Sequence, residues 1–503
     1  MRLKVKVLFA ILMCIVSCTP IEQGPTTPQK PEDKVPETET DILKDFPVDF
    51  SMVGYKYGAE PLPAYPVVVT LTPPADGSDA TALIQNAIDK MTTKGAILLK
   101  AGTYNVSEKL TLAKDNVVLR GEGESTVIKA TGTVQRTLLT LGKSTSRKDG
   151  ASSSISDDFI PVGQSWVTVV SPSTFHVGNR VNVKATMNSK WVTDLKMDKI
   201  AQNSTNTVAQ WKASEYVFRW ERTVVKIEGN KVWLDIPLVM ELDRKYLAEV
   251  KLQHVSWDRI TESGIENLML DTQYDVSNKE DEAHAWTAID VKASEHCWIK
   301  DVKSAHFGYC TVEMKQGCRN ITVRNCVCTE PISKIEGSRR YAFHINGGQL
   351  CLVENCVADK DRHGFVFGAR NAGPNVFVDC KMTNSYSEIG PHHRWSTGAL
   401  YDNCTTDGQL AVYDRAGYGT GHGWTGVSFV FWNCTAAKIS CQNPWVSGKN
   451  WCIGCIGTKV AGRNYSDGIV RPNGEWISHG VPVTPKSLYR YQHSKRYGSA
   501  LSL

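Results

Sequence analysis

From residue 297 onward one short phrase recurs: HCWIKDV, RNITVRNCV, LCLVENCV, NVFVDCKM, ALYDNCTT and FVFWNCTA. Aligned on the polar residue near its end, it falls at Asp301, Asn325, Asn355, Asp379, Asn403 and Asn433, at spacings of 24, 30, 24, 24 and 30 residues. Each unit supplies alternating strand-forming residues, a turn and a second short strand. One such unit cannot bury its inner face alone, so neighbours have to stack into a solenoid. Period and strand content together predict an all-β fold, a right-handed parallel β-helix. Cys326, Cys356, Cys380, Cys404 and Cys434 then recur once per coil and are expected as stacked, buried small hydrophobes. Thirteen of the fifteen cysteines lie between Cys297 and Cys455, an odd number with no zinc spacing, which argues against a disulfide framework or a structural zinc site.

The ends of the chain read differently. Residues 1–18, MRLKVKVLFAILMCIVSC, carry a basic start, a short apolar run and small residues before Cys18, the pattern of a processed export signal. Ile15-Val16-Ser17-Cys18 resembles the lipobox of bacterial lipoproteins, which implies acylation of Cys18 and a lipid anchor. Residues 19–45 are rich in Pro, Thr and Glu and are expected to be a disordered tether. The expected location is the outer membrane or cell surface of a Gram-negative-type bacterium. Residues 46–503 are expected to form one catalytic β-helix domain, and the protein a monomer. With 41% hydrophobic and 22% charged residues the chain is globular in composition, and no second long apolar run suggests a multi-span membrane protein. A net charge of +5 suits an acidic substrate and falls short of the basic footprint of a nucleic-acid binder.

At the start of the solenoid, DGSDATALIQNAIDKM places Leu83, Ile84, Ala87, Ile88 and Met91 at helical spacing, an amphipathic helix suited to capping the first rung. Residues 134–285 are less regular and predict an insertion, within which VVKIEGNKVWLDI reads as a hairpin turning at Gly229-Asn230. The tail around VTPKSLYRYQHSKRYG is expected to close the far end. DGSDATALIQNAID, GAILLKAGTYNV and VVLRGEG resemble the start of pectate-lyase-like β-helix proteins, over roughly residues 70–500. The central block, with DRHGFVFGARNAGPNVFVDC, IGPHHRWSTGALYDN and YDRAGYGTGHGW, is similar to a group of β-helix polysaccharide lyases. Within that group the resemblance points to polysaccharide lyase family 29, which cleaves chondroitin and hyaluronan.

A solenoid turns sequence register into surface stripes, with equivalent residues about 4.8 Å apart. Counting back from the ladder residue puts Lys292, Asn346, Arg370 and Arg394 in one column and Asp290, His344, Gly368 and His392 in another; Arg415 and Tyr413 extend them. The two columns share one face. β-Elimination from a uronic acid needs a cation on the carboxylate, a base for the C5 proton and an acid for the leaving oxygen. Arginine supplies the first and histidine the second, and a tyrosine hydroxyl suits the third; an arginine beside the tyrosine also favours phenolate, which reverses the base and acid roles. The expected catalytic set is His392, Arg394, Tyr413 and Arg415. Lys292, His344, Arg370, His393 and His422 are expected to hold flanking sugars, although strand alternation points His393 inward unless Pro391 bends the strand. His363 reads equally as a turn residue, and Asp414 as a buried one. Asp290 and Glu313 are the candidates for a calcium ion shared with a uronate. No cofactor is otherwise required. The rival readings are a two-carboxylate glycosidase or an epimerase on pectin-like polymers, and a surface glycan-binding lipoprotein without activity.

Overall fold

The computed structural model describes residues 43, 46–202, 207–462 and 467–498. The export signal, Cys18 and the tether, residues 43 apart, lie outside them. Three parallel sheets wind around one apolar core as a right-handed β-helix. The first sheet runs from Val67–Leu71 to Glu475–Ile477 and the second from Gly102–Val106 to Ile456–Lys459. The third begins at Leu110–Leu112 and passes through Thr137–Gly142, Thr287–Lys292, Cys310–Lys315, Phe343–Asn346, Phe365–Phe367 and Gly390–Pro391.

The repeated polar residue is the corner between the first and second sheets. Asp301, Asn325, Asn355, Asp379, Asn403 and Asn433 all take left-handed backbone, φ 49–54°. Asn and Asp tolerate that conformation better than other side chains. Their side chains also bond along the stack: Asn325 Nδ2 donates to Asp301 at 2.9 Å and Asn355 Nδ2 to Asn325 at 2.8 Å. The cysteine after each corner turns inward, and Cys326, Cys356, Cys380, Cys404 and Cys434 are all buried, unpaired thiols in the main core.

The helix Thr81–Lys90 buries Ile84 and Ile88 in that core, as a cap should; Leu83, expected on the same face, is exposed because it lies on the helix's outer side. The insertion is narrower than residues 134–285. Thr137–Gly142 and Gly264–Thr272 are solenoid rungs, and between them lies a six-stranded antiparallel sheet with the hairpin at Gly229-Asn230. Its apolar face packs with Leu352, Val376, Leu400, Val430 and Trp432 on the outside of the first sheet. The tail does not close the far end. Its helix, Leu488–Tyr497, lies back along the first sheet, where Ser487 donates to Asp402 at 2.6 Å and Arg490 pairs with Glu354 and Asp379. The first sheet is thus covered, whereas residues of the third border an open cleft.

Candidate active site

The third sheet fixes which side chains are neighbours. Asp290, Glu313, His344, Val366 and Gly390 are successive partners in its ladder. His344 therefore lines up with Val366, not with Gly368 and His392 as the count from the corner predicts. The cause is a length change. Ile345 and Phe367 are partners, as are Leu352 and Val376, so six residues link the two sheets in one coil and eight in the next. The two extra residues fall in the turn that carries Arg370.

Beyond Gly390–Pro391 the strand ends, so alternation no longer applies and His392 and His393 both face outward. They line a cleft of ≈ 640 Å³ with Tyr341, His344, Arg362, Arg415 and His422; Tyr309, Asn346 and Tyr418 complete its polar wall. His393 is thus a cleft residue, against the alternation. His422 owes its position to a glycine-rich loop: a Cβ on Gly419, φ 55°, would sit 2.2 Å from the His422 ring, and one on Gly421 would meet the carbonyl of Ala209 in the insertion. The glycines serve packing on the insertion and on His422.

At the centre the rings of His392, His393 and His422 are 4.8–5.1 Å apart. His392 Nδ1 and His393 Nδ1 share a 2.8 Å hydrogen bond, and His392 Nε2 lies 3.4 Å from the Tyr341 hydroxyl. If His392 Nδ1 carries the shared proton, Nε2 is a free base beside a phenol. Burial, followed by the charge of Arg415, pushes His392 well below the ordinary histidine range and His422 down to about 2. Burial and then Arg394 hold His393 at about 3, and burial with Lys315 holds His344 at about 3. These imidazoles are therefore uncharged near neutrality, each with one ring nitrogen to accept and one N–H to donate.

The arginines divide by position. Arg415 is buried and lines the cleft; it pairs with Glu388 at 3.2 Å and donates to the His392 carbonyl at 3.0 Å, while its Nε–H has no partner among the described residues. Arg362, which the sequence count passed over, lines the cleft with no carboxylate partner among the described residues and lies over the Tyr341 ring at 5.9 Å. Arg394 lies outside the cleft lining and braces its rim, donating to the Thr420 carbonyl and hydroxyl at 3.3 and 3.4 Å. Arg370 faces a different pocket. Lys292 is four rungs from His392, about 19 Å along the solenoid axis, and does not join the cleft.

Tyr413 does not serve as the acid in this arrangement. The register places it beside His392, but its side chain is 1% exposed and its hydroxyl donates to Glu388 at 3.2 Å. His363 is buried too, donating to the Glu388 carbonyl at 2.6 Å and stacking on Tyr341. Asp414 is fully buried and paired with Arg471, as expected. Asp290 and Glu313 are a poor fit for calcium: both are buried, and Lys315 Nζ already sits 2.8 and 3.1 Å from them. Among the described residues no group of three His, Cys, Asp or Glu side chains is placed to hold a metal ion.

Tyr341 was findable. Tyr341 and His363 both stand two residues before the start of their strands, Phe343 and Phe365, which are ladder partners, and their ring centroids lie 5.1 Å apart; Tyr309, one residue out of that register, still packs its ring 5.4 Å from Tyr341. A ring two residues before the strand in both of these coils is the sequence signal.

No family model and no curated protein matches the chain. Similar solved structures include the tailspike protein gp49 from Pseudomonas phage LKA1, at 14% identity and TM-score 0.47 over 75% of this chain and 56% of that one. The chain thus spans little more than half the length of that tailspike. The polygalacturonase from Erwinia carotovora ssp. carotovora is similar at 10% identity and TM-score 0.43 over 84% and 97% of the two chains. The alginate lyase from Paenibacillus sp. str. FPU-7 follows at 9% and 0.34 over 83% and 100%. Likenesses this distant carry no argument about activity, which rests on the cleft.

Proposed function

We propose that the protein is a polysaccharide lyase that cleaves a uronic-acid-containing polymer by β-elimination. The observation that carries this reading is the composition of the cleft: histidines, tyrosines and two arginines line it, and among the described residues no carboxylate does. A glycosidase of the usual kind needs two carboxylates flanking the bond. Glu313 and Glu388, the nearest candidates, are buried behind the wall and engaged with Lys315 and Arg415.

Elimination asks for what the wall supplies. Arg362, with Arg415 behind it, neutralises the uronate carboxylate and makes the C5 proton acidic. His392 Nε2 takes that proton. The C–H electron pair becomes the C4–C5 double bond, the C4–O bond breaks, and Tyr341 protonates the departing oxygen. His393 holds the His392 tautomer, and His344 and His422 contact the flanking sugars. A glycosaminoglycan such as chondroitin or hyaluronan is the proposed substrate. Acylated Cys18 and the tether would hold the enzyme at a membrane surface facing it.

Mass spectrometry of the products tests the reaction class. Elimination leaves a new non-reducing end one water lighter than hydrolysis does. Products carrying that deficit support the lyase; fully hydrated ends contradict it.

A further inference from the structure

A second pocket of ≈ 100 Å³ adjoins the cleft. The solenoid turns at Gly347 and Arg370 form one wall, and insertion strands bearing Arg219 and Glu221 form the other, with Arg147 and Arg259 alongside. Asn346 and Ala369 line the cleft, so the two spaces meet one residue away in each turn.

Four guanidiniums share this pocket with one carboxylate, and they are not equally satisfied. Arg147 grips Asp149 through two hydrogen bonds of 2.6 and 3.2 Å. Arg259 grips Glu221 through two more, at 2.8 and 2.7 Å. Arg219 and Arg370 make no ion pair and no side-chain hydrogen bond among the described residues. The Nε–H of Arg219 is buried with no partner, and Arg370 lies 5.8 Å over the Tyr216 ring. Half-buried guanidiniums left unpaired beside other cations are costly. A planar fork of donors is suited to an anion with two or more equivalent oxygens.

We propose that this pocket is an oxyanion subsite, built jointly by the insertion and the solenoid, which takes a sulfate ester or carboxylate on the sugar next to the one in the cleft. It rests on the reading of the cleft as a site for an acidic glycan and deepens it. The pocket is about one sixth of the cleft's volume, so it suits one substituent and not another pyranose ring. In this arrangement the insertion selects the polymer while the solenoid carries out the reaction.

Calorimetric titration of the full-length protein with inorganic sulfate at constant ionic strength tests the subsite without requiring turnover. The expected result is saturable binding of one sulfate, weakened at least tenfold in Arg219→Gln and in Arg370→Gln and retained in His392→Ala. Arg219→Lys, which keeps the charge and loses the fork, should fall between. Absence of sulfate binding to the wild type, or wild-type affinity in both Gln variants, overturns the proposal. Because the variants stand on opposite walls, misfolding of one leaves the other to decide, with unchanged thermal unfolding as the check. Sulfate binding without elimination products on any polymer would sink the lyase reading and leave the subsite standing. Matched oligosaccharides then identify the source. A tenfold affinity loss in Arg219→Gln confined to sulfated chains assigns the sulfate ester, whereas equal loss on unsulfated uronate chains assigns the carboxylate.

Discussion

In the proposed reaction His392 is the base and Tyr341 the acid, and their geometry separates them from Tyr413. Removing the base or the proposed acid should cost about 10²–10⁴-fold in kcat, the usual contribution of general acid–base groups. His392→Ala and Tyr341→Phe are expected to lose that much, while Tyr413→Phe should stay within a few-fold of wild type and lose about 1 kcal/mol of stability with its bond to Glu388. Steady-state rates and urea unfolding on the three variants check the ordering. The depressed histidines also set the pH profile. Since His392 is held well below the ordinary histidine value, the acid limb of kcat/KM should lie well below 6.5. The register of Tyr413 beside His392 was readable in the sequence. Its burial was not, because Glu388 and the Gly462 turn that cover it come from other coils. Arg362 escaped for the opposite reason: it precedes its strand, where no ladder count reaches.

Among the elements, the asparagine corner is the best-defined device. Asn355 contributes a left-handed residue and a hydrogen bond to Asn325. Asn355→Gly keeps the conformation and loses the bond, at about 1 kcal/mol. Asn355→Ala loses both and should cost roughly 1–2 kcal/mol more. Equal costs for the two substitutions in urea unfolding would show that the corner conformation contributes nothing. The repeat made the coils, the cysteine column and the capping helix legible, since each follows from period and alternation. The strip beside His344 was misregistered because turn length between sheets is not periodic, and two residues added before Val376 shift every outward position upstream of it. The tail helix was misplaced because nothing in its sequence distinguishes an end cap from a strap along a sheet.

Over the whole molecule, the buried histidines tie stability to pH. His344, His363 and His393 sit at about 3 and His422 at about 2 in the folded state, against an unfolded value near 6.5. The unfolded chain binds more protons through that window, so this contribution is complete above pH 6.5 and is lost as pH falls toward 3. Asp361 and Asp402, raised to about 7 by burial, act in the opposite sense between about 7 and 4, but they are fewer. Urea midpoints should therefore decline from pH 7 to pH 4, and a midpoint that rises over that range would show the cleft histidines to be charged in the folded protein. In the same architecture the insertion and the tail cover the first sheet, and the cleft opens over the third. The most direct test of the account is ultraviolet absorbance during incubation of the purified protein with chondroitin sulfate, hyaluronan, heparin, alginate and polygalacturonate, with and without chelator. The account predicts a rise from the conjugated double bond on a glycosaminoglycan, unaffected by chelator and abolished in His392→Ala; new reducing ends appearing without any rise in absorbance would contradict it.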